Sequence, residues 1–114
     1  MYLLDTNVVS ELRRPRPHGA VLAWLESVSD EDLHLSAVTV GELARAETYN
    51  VLAMDAPAFR CWARLSHRRS NKLIEDAMIA ATAVIHNLTV VTRNVRDFEV
   101  FGVRTLNPFQ WAPT

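Results

Sequence analysis

Short runs of apolar residues, broken by stretches with helical spacing, set the pattern of this chain. YLLD at 2–5 reads as a buried strand, apolar on both faces and closed by an aspartate. NVVSELRR predicts a short helix ended by Pro15 and Pro17. GAVLAWLESV predicts a second helix with Val21, Leu22, Leu25 and Val28 on one face, followed by an acidic SDED turn. LHLS at 33–36 predicts a second strand, and VTVGELARAE a helix with Val40, Leu43 and Ala44 inward. YNVLAMD predicts a third strand. Asp55 is then placed to cap a helix with Pro57 in its first turn, turning Phe59, Trp62 and Leu65 inward. LIEDAMIAATAVIHN predicts an alanine-rich helix able to approach a sheet closely, with Asn87 as its stop. LTVVT and VRTL complete five strands. Strands alternating with helices predict an α/β fold, a parallel sheet covered on both faces, as one domain over residues 1–114.

Composition narrows the setting. Apolar residues make up 49% of the chain and three are tryptophans, enough for a hydrophobic core. Twelve Lys and Arg against 13 Asp and Glu leave a net charge of -1, which argues against bulk polyanion binding while leaving room for a local basic patch. The single cysteine, Cys61, excludes an internal disulfide and fits a reducing compartment. The N-terminus lacks the pattern of a secretion signal. The longest apolar run, AMIAATAVI, is far short of the roughly 20 residues a membrane span needs. A cytoplasmic protein is the expectation.

Four acids sit at element ends that an α/β fold brings to one side. Asp5 ends the first strand, and in open parallel sheets sites form at the carboxyl ends of strands, where strand order reverses. Glu42 lies in TVGE, Asp76 opens DAMIAATA, and Asp97 follows a strand in TRNVRDF. Each also has a plain structural role open to it: Asp5 as a helix cap, Glu42 with Thr39 as a capping box, Asp76 as a first-turn acid, Asp97 as a turn cap. Together they are harder to explain that way. Two like charges ~5 Å apart cost roughly 3 kcal/mol at an effective dielectric near 20. If the four converge, they are expected to take up a proton or a cation, and an all-oxygen donor set suits Mg²⁺ or Mn²⁺.

The segments LLDTNVVSEL, SAVTVGEL, EDAMIAATAV and LTVVTRNVRDFEVFGVRTLNPF, in that order, resemble the PIN domain, and within it the VapC toxins of bacterial toxin–antitoxin pairs. The resemblance spans nearly the whole chain. It implies a parallel sheet in the order 3-2-1-4-5 and a metal-dependent endoribonuclease that hydrolyses RNA phosphodiester bonds with a metal-activated water. By match, Asp5, Glu42, Asp76 and Asp97 form the catalytic, metal-binding acidic set, with Thr6, Asn7, Thr92 and Asn94 as supporting polar residues. The resemblance further implies a cognate antitoxin partner, a homodimer and a hetero-oligomer with the antitoxin. The chain departs from the family in one place. GELARAE runs almost directly into TYNVLAMD, where relatives continue into a further helix. That puts antitoxin binding and the position of Glu42 at issue, and keeps open a shortened domain that binds antitoxin or RNA without cleaving.

Other residues carry weaker signals. Arg13 and Arg14, with Arg16, form a basic knot after the first helix, and Arg60, Arg64 and Arg68 recur every four residues. With Arg69 and Lys72 they are a candidate RNA track, or simply solvated helix faces. The four histidines show no metal-ligand spacing, and Cys61 reads as a buried small hydrophobe. A phosphatase of the haloacid dehalogenase type also begins with an aspartate at the end of a first strand, but it needs a second aspartate where this chain has Asn7.

Overall fold

The computed structural model describes residues 1–36, 50–52, 55–66 and 74–113. The predicted helix at 38–47, with Glu42, lies outside them, as do Arg68, Arg69 and Lys72. Five parallel strands form one sheet: β1 (Tyr2–Leu4), β2 (Leu33–Ser36), β3 (Asn50–Leu52), β4 (Thr89–Val91) and β5 (Thr105–Leu106), in the spatial order β3-β2-β1-β4-β5. The order matches the expectation and places the reversal of strand order between β1 and β4.

Register explains why β1 and β4 are apolar on both faces. Leu3 pairs with Val90 and Leu4 with Val91, and successive side chains in a strand point to opposite faces. Leu3 and Val90 pack with Ala77, Ile79, Ala80, Ala83 and Phe98 on one side of the sheet. Leu4 and Val91 pack with Val8, Val9, Val21 and Trp24 on the other. All four strand residues are fully buried.

The helices follow from local sequence. α1 (Thr6–Leu12) begins directly after β1, capped by Asp5. α2 (Gly19–Ser27) packs beside it, capped by His18, whose Nδ1 accepts from the Ala20 N–H at 3.2 Å. Its buried face is carried by Val21 and Trp24, whereas Leu22 is exposed. Three of the four residues expected on that face, Val21, Leu25 and Val28, do pack into this core; Leu22 alone departs, and Trp24 joins them, meeting Tyr2 edge-on at 5.2 Å. The acidic stretch after α2 forms a 3-10 turn over Asp30–Asp32. α3 (Ala56–Ser66) starts where Asp55 Oδ1 accepts from the Ala58 N–H at 3.1 Å. α4 (Ile74–His86) lies against α3 and presents Ala77, Ala80 and Ala83 to the sheet. Small side chains at that spacing let the helix axis come close.

α4 ends as predicted at Asn87, the only described non-glycine residue with positive φ (54°). The Leu88 N–H donates to the Ala83 carbonyl at 2.9 Å and the Asn87 N–H to Val84 at 3.3 Å, the two bonds of a Schellman cap. Arg104 holds the turn by donating to the Asn87 carbonyl and Oδ1. α5 (Val95–Glu99) follows β4, and a 3-10 turn over Pro108–Gln110 folds the C-terminal segment back onto α2. Among the described residues no helix is long and apolar enough to cross a membrane.

Truncation of Trp24 to alanine is expected to cost about 3–5 kcal/mol, the range for a large buried aromatic. Urea unfolding followed by far-UV circular dichroism checks this, and a Leu22→Ala control should cost under about 1 kcal/mol because that side chain is partly in water already.

Candidate active site

Asp5 is where β1 hands over to α1. Its N–H donates to the Val91 carbonyl at 2.9 Å, extending the β1–β4 ladder by one bond. The chain then turns into helix, and Asp5 Oδ1 accepts from the Thr6 N–H at 2.8 Å. The plain capping role is therefore real. Oδ2 does something else. It accepts a 2.8 Å hydrogen bond from the Thr92 hydroxyl, which stands at the end of the neighbouring strand. Asp5 is only 5% exposed and Thr92 fully buried.

Thr92 is a junction. Its Oγ1 donates to Asp5 and accepts from the Asn94 N–H at 2.9 Å and, more weakly, from Asn7 Nδ2 at 3.4 Å. Asn7 Oδ1 in turn accepts from the Arg93 N–H at 3.3 Å. Thr92, Asn7 and Asn94 thus brace the carboxylate across the strand-order switch. Alternation along β1 turns Asp5 toward the face covered by α4.

Asp76 arrives from that face. It lies in the first turn of α4, on the same stripe as Ile79 and Ala80. Asp5, Thr6, Asn7, Asp76 and Asn94 line one open cavity of about 280 Å³, together with Glu75 and Ile79. Five of the eight expected site residues are brought to one cavity, and Thr92 stands directly behind it. Asp97 is placed differently. It is exposed, in the first turn of α5, and lines an adjoining groove. Its charge nonetheless reaches Asp76. Glu75 is the residue that sequence reasoning passed over. Its signal was adjacency: it precedes Asp76 in the same helical turn.

The charges have a measurable consequence. Burial, and then the negative charges of Asp5, Asp97 and Glu75, push the Asp76 pKa up to about 6. Among the described residues, no three His, Cys, Asp or Glu side chains converge as a ready metal-ligating group. The donors present are nevertheless a fit for a hard cation. Mg²⁺ is ordinarily held by one or two carboxylates and completes its shell with water, and this cavity offers three carboxylates (Asp5, Glu75 and Asp76), a hydroxyl and carboxamides with no sulfur or imidazole.

The expected RNA track is not drawn to this cavity. Arg13, Arg14 and Arg16 are exposed beyond α1, with Arg14 3.6 Å from Glu11. Arg60 and Arg64 are exposed on α3. None of them lines the cavity or the adjoining groove. Cys61 is buried, as expected, and His18 serves as a cap. His34, by contrast, is buried in β2.

The raised Asp76 pKa carries a sign. The folded protein holds this proton more tightly than the unfolded chain, so stability falls as pH rises from about 4 to about 6. Asp76→Asn should therefore stabilise chelator-treated protein by about 1 kcal/mol at pH 7.5, after allowance for solvent screening, and leave it unchanged near pH 4. Urea melts at the two pH values read this out.

Known proteins share this sequence pattern and fold. The profile of the PIN domain family matches residues 2–49 and 45–102. A VapC ribonuclease, Y4jK, of Sinorhizobium fredii is 38% identical over 141 aligned positions, covering 99% of both chains. The toxin FitB of Neisseria gonorrhoeae is 36% identical over 137 positions, covering 96% of this chain and 99% of its own. A crystal structure of FitAcB from Neisseria gonorrhoeae superposes with a TM-score of 0.84 at 33% identity, covering 97% of this chain and all of that one. The alignments are longer than this 114-residue chain, and the family profile matches in two pieces that meet at 45–49. The second lies beside the stretch, GELARAE into TYNVLAMD, where the sequence was expected to depart from the family. With profile, identity and fold in agreement, this chain belongs to the PIN domain family, in its VapC-like branch.

Proposed function

We propose that this chain is the toxin of a toxin–antitoxin pair, an endoribonuclease that hydrolyses RNA phosphodiester bonds with a divalent cation, Mg²⁺ or Mn²⁺. One observation carries the reading: Asp5 and Asp76 line one cavity at the carboxyl end of the sheet, and their proximity helps hold the Asp76 carboxyl at a pKa of about 6. The names of similar proteins, a VapC ribonuclease and a toxin, support it, as does the likeness to a FitAcB structure.

The roles follow from placement. Asp5 and Asp76 are the ligands we assign to the cation, with Asp97 acting through water at the edge; Glu42, outside the described residues, is added on the family resemblance alone. When bound, the cation supplies positive charge for the phosphate and lowers the pKa of a coordinated water. The chain supplies the rest. Thr92 fixes the rotamer of Asp5 by its hydrogen bond to Oδ2, leaving the carboxylate oriented before any ligand arrives. Asn7 and Thr6 line the wall on the α1 side, and Asn94 the wall on the α5 side. Asp76 keeps its proton below about pH 6 and gives it up when positive charge enters the cavity. The phosphatase alternative loses its second acid, because Asn7 spends its carboxamide on Thr92 and Arg93.

A second reading rests on the break of the family match into two pieces that overlap at 45–49: a shortened domain that binds antitoxin or RNA but does not cleave. One experiment separates the two. Purified protein is incubated with a mixed RNA pool in Mn²⁺ or Mg²⁺, with and without chelator. The nuclease reading expects cutting that chelator abolishes and that Asp5→Asn or Asp76→Asn lowers at least ~100-fold, as loss of a group that binds the reacting phosphate's counter-charge should. A folded wild-type protein that binds RNA without cutting it supports the second reading.

A further inference from the structure

The carboxylate cavity does not end at Asn94. The same residue lines a second open groove of about 500 Å³, between α5 and the Pro108–Gln110 turn. The two spaces are therefore neighbours across one side chain. The groove's walls carry two guanidinium groups, Arg93 and Arg96, and the carboxamides of Asn94, Asn107 and Gln110. Its volume falls in the range of small-ligand sites, with room for about one nucleotide.

Arg93 is held from two sides. Its N–H is tied to Asn7 Oδ1 at 3.3 Å. Its guanidinium lies over the Phe109 ring, 4.8 Å from the centroid. Phe109 is fixed in turn: its N–H donates to Asn107 Oδ1 at 3.0 Å, and its ring meets His18 edge-on at 5.3 Å. Both arginines are exposed, and neither forms an ion pair with another described residue. A guanidinium resting over an aromatic ring presents its donors with less left to order.

Charge decides what the groove is for. Asp97 and Glu99 line it as well, so two positive groups face two negative ones. A neutral groove is a poor general track for polyanions, whose binding scales with net positive charge. It is well suited to selecting one nucleotide. Guanidinium and carboxamide groups read base edges and phosphate by geometry, and single-stranded RNA exposes both.

We propose that this groove is a substrate-selecting subsite: it takes the nucleotide next to the scissile phosphate, with Arg93 gripping its phosphate or stacking on its base and Arg96, Asn107 and Gln110 reading its edge. The inference rests on the ribonuclease reading above and names where that activity would acquire sequence preference. An acidic peptide is the competing occupant. The contiguity with the carboxylate cavity favours RNA, since a chain threaded through one space must leave through the other.

The test uses the full chain and a random pool of single-stranded RNA decamers. Binding in chelator and cleavage in Mn²⁺ are both read by sequencing, for wild type, Arg93→Ala, Arg93→Lys, Arg96→Ala and Gln110→Ala. Thermal melts confirm that each variant folds. Arg93→Ala is expected to weaken binding roughly tenfold, the scale of one lost stacking contact. Arg96→Ala and Gln110→Ala are expected to erase or shift base preference at a single position beside the cut. Arg93→Lys should keep part of the affinity but not the preference. Wild type and variants that bind and cut with the same preference would overturn the groove and leave the nuclease reading standing. Preference lost in the variants, in a wild-type protein that binds but never cuts, would support the groove and sink the nuclease reading. A wild type that neither binds nor cuts RNA overturns both. If the variants instead lose binding to a random pool of carboxylate-terminated peptides while RNA binding is unmoved, the groove serves protein and the proposal fails.

Discussion

The hydrogen bond from the Thr92 hydroxyl to Asp5 Oδ2 spans 87 positions of sequence and joins the ends of the two central strands. Everything at the candidate site is arranged around it. It forms only because β1 and β4 are neighbours, and they are neighbours because strand order reverses between them. Helices that follow strands on either side of that reversal diverge, which opens a space above the strand ends. A carboxylate there is nearly buried, so it must be bonded, and the hydroxyl of Thr92 and the N–H of Thr6 satisfy it. The same hydroxyl accepts from the Asn94 N–H. One side chain thereby orients the acid, shapes the start of α5 and sets the wall shared with the adjoining groove.

The second constraint is electrostatic and works against folding. α4 comes close to the sheet because its inward stripe is alanine at 77, 80 and 83. That closeness carries Asp76 in its first turn toward Asp5. The N-terminal end of a helix favours negative charge, yet burial and three acidic neighbours outweigh that preference and raise the Asp76 pKa to about 6. A structural cap would not need such crowding. Asp55, which caps α3, accepts one backbone bond and stays exposed. Asp55 thus caps a helix in water, whereas Asp76 sits half-buried among three acids.

Much of this was legible from residues alone, for physical reasons. Strands buried on both faces have no polar alternation, so YLLD and LTVVT stand out, and the acid that ends the first of them is conspicuous. Asn87 was readable as a helix stop because few residues other than glycine accept positive φ. The strand order and the roles of Thr92 and Asn94 came from resemblance, since no local pattern says that a threonine after one strand will reach an aspartate after another. What could not be read was set by docking. On α2, Val21, Leu25 and Val28 face the core as the spacing predicts, and only Leu22 departs, because the partner surface decides which flank of the stripe is covered. Asp97 faces the groove and not the cavity, because α5 is only five residues long and its rotation is fixed by Phe98 in the core. Glu75 enters the cavity only because α4 begins just before it.

The cation proposed for the space between Asp5 and Asp76 has a direct test. Crystals of the protein grown in Mn²⁺, with diffraction recorded at the manganese absorption edge, test this directly. An anomalous peak is expected within bonding distance of both carboxylates, lost in Asp76→Asn crystals. Manganese bound elsewhere in a wild-type crystal, with Asp5 and Asp76 unligated, would contradict it.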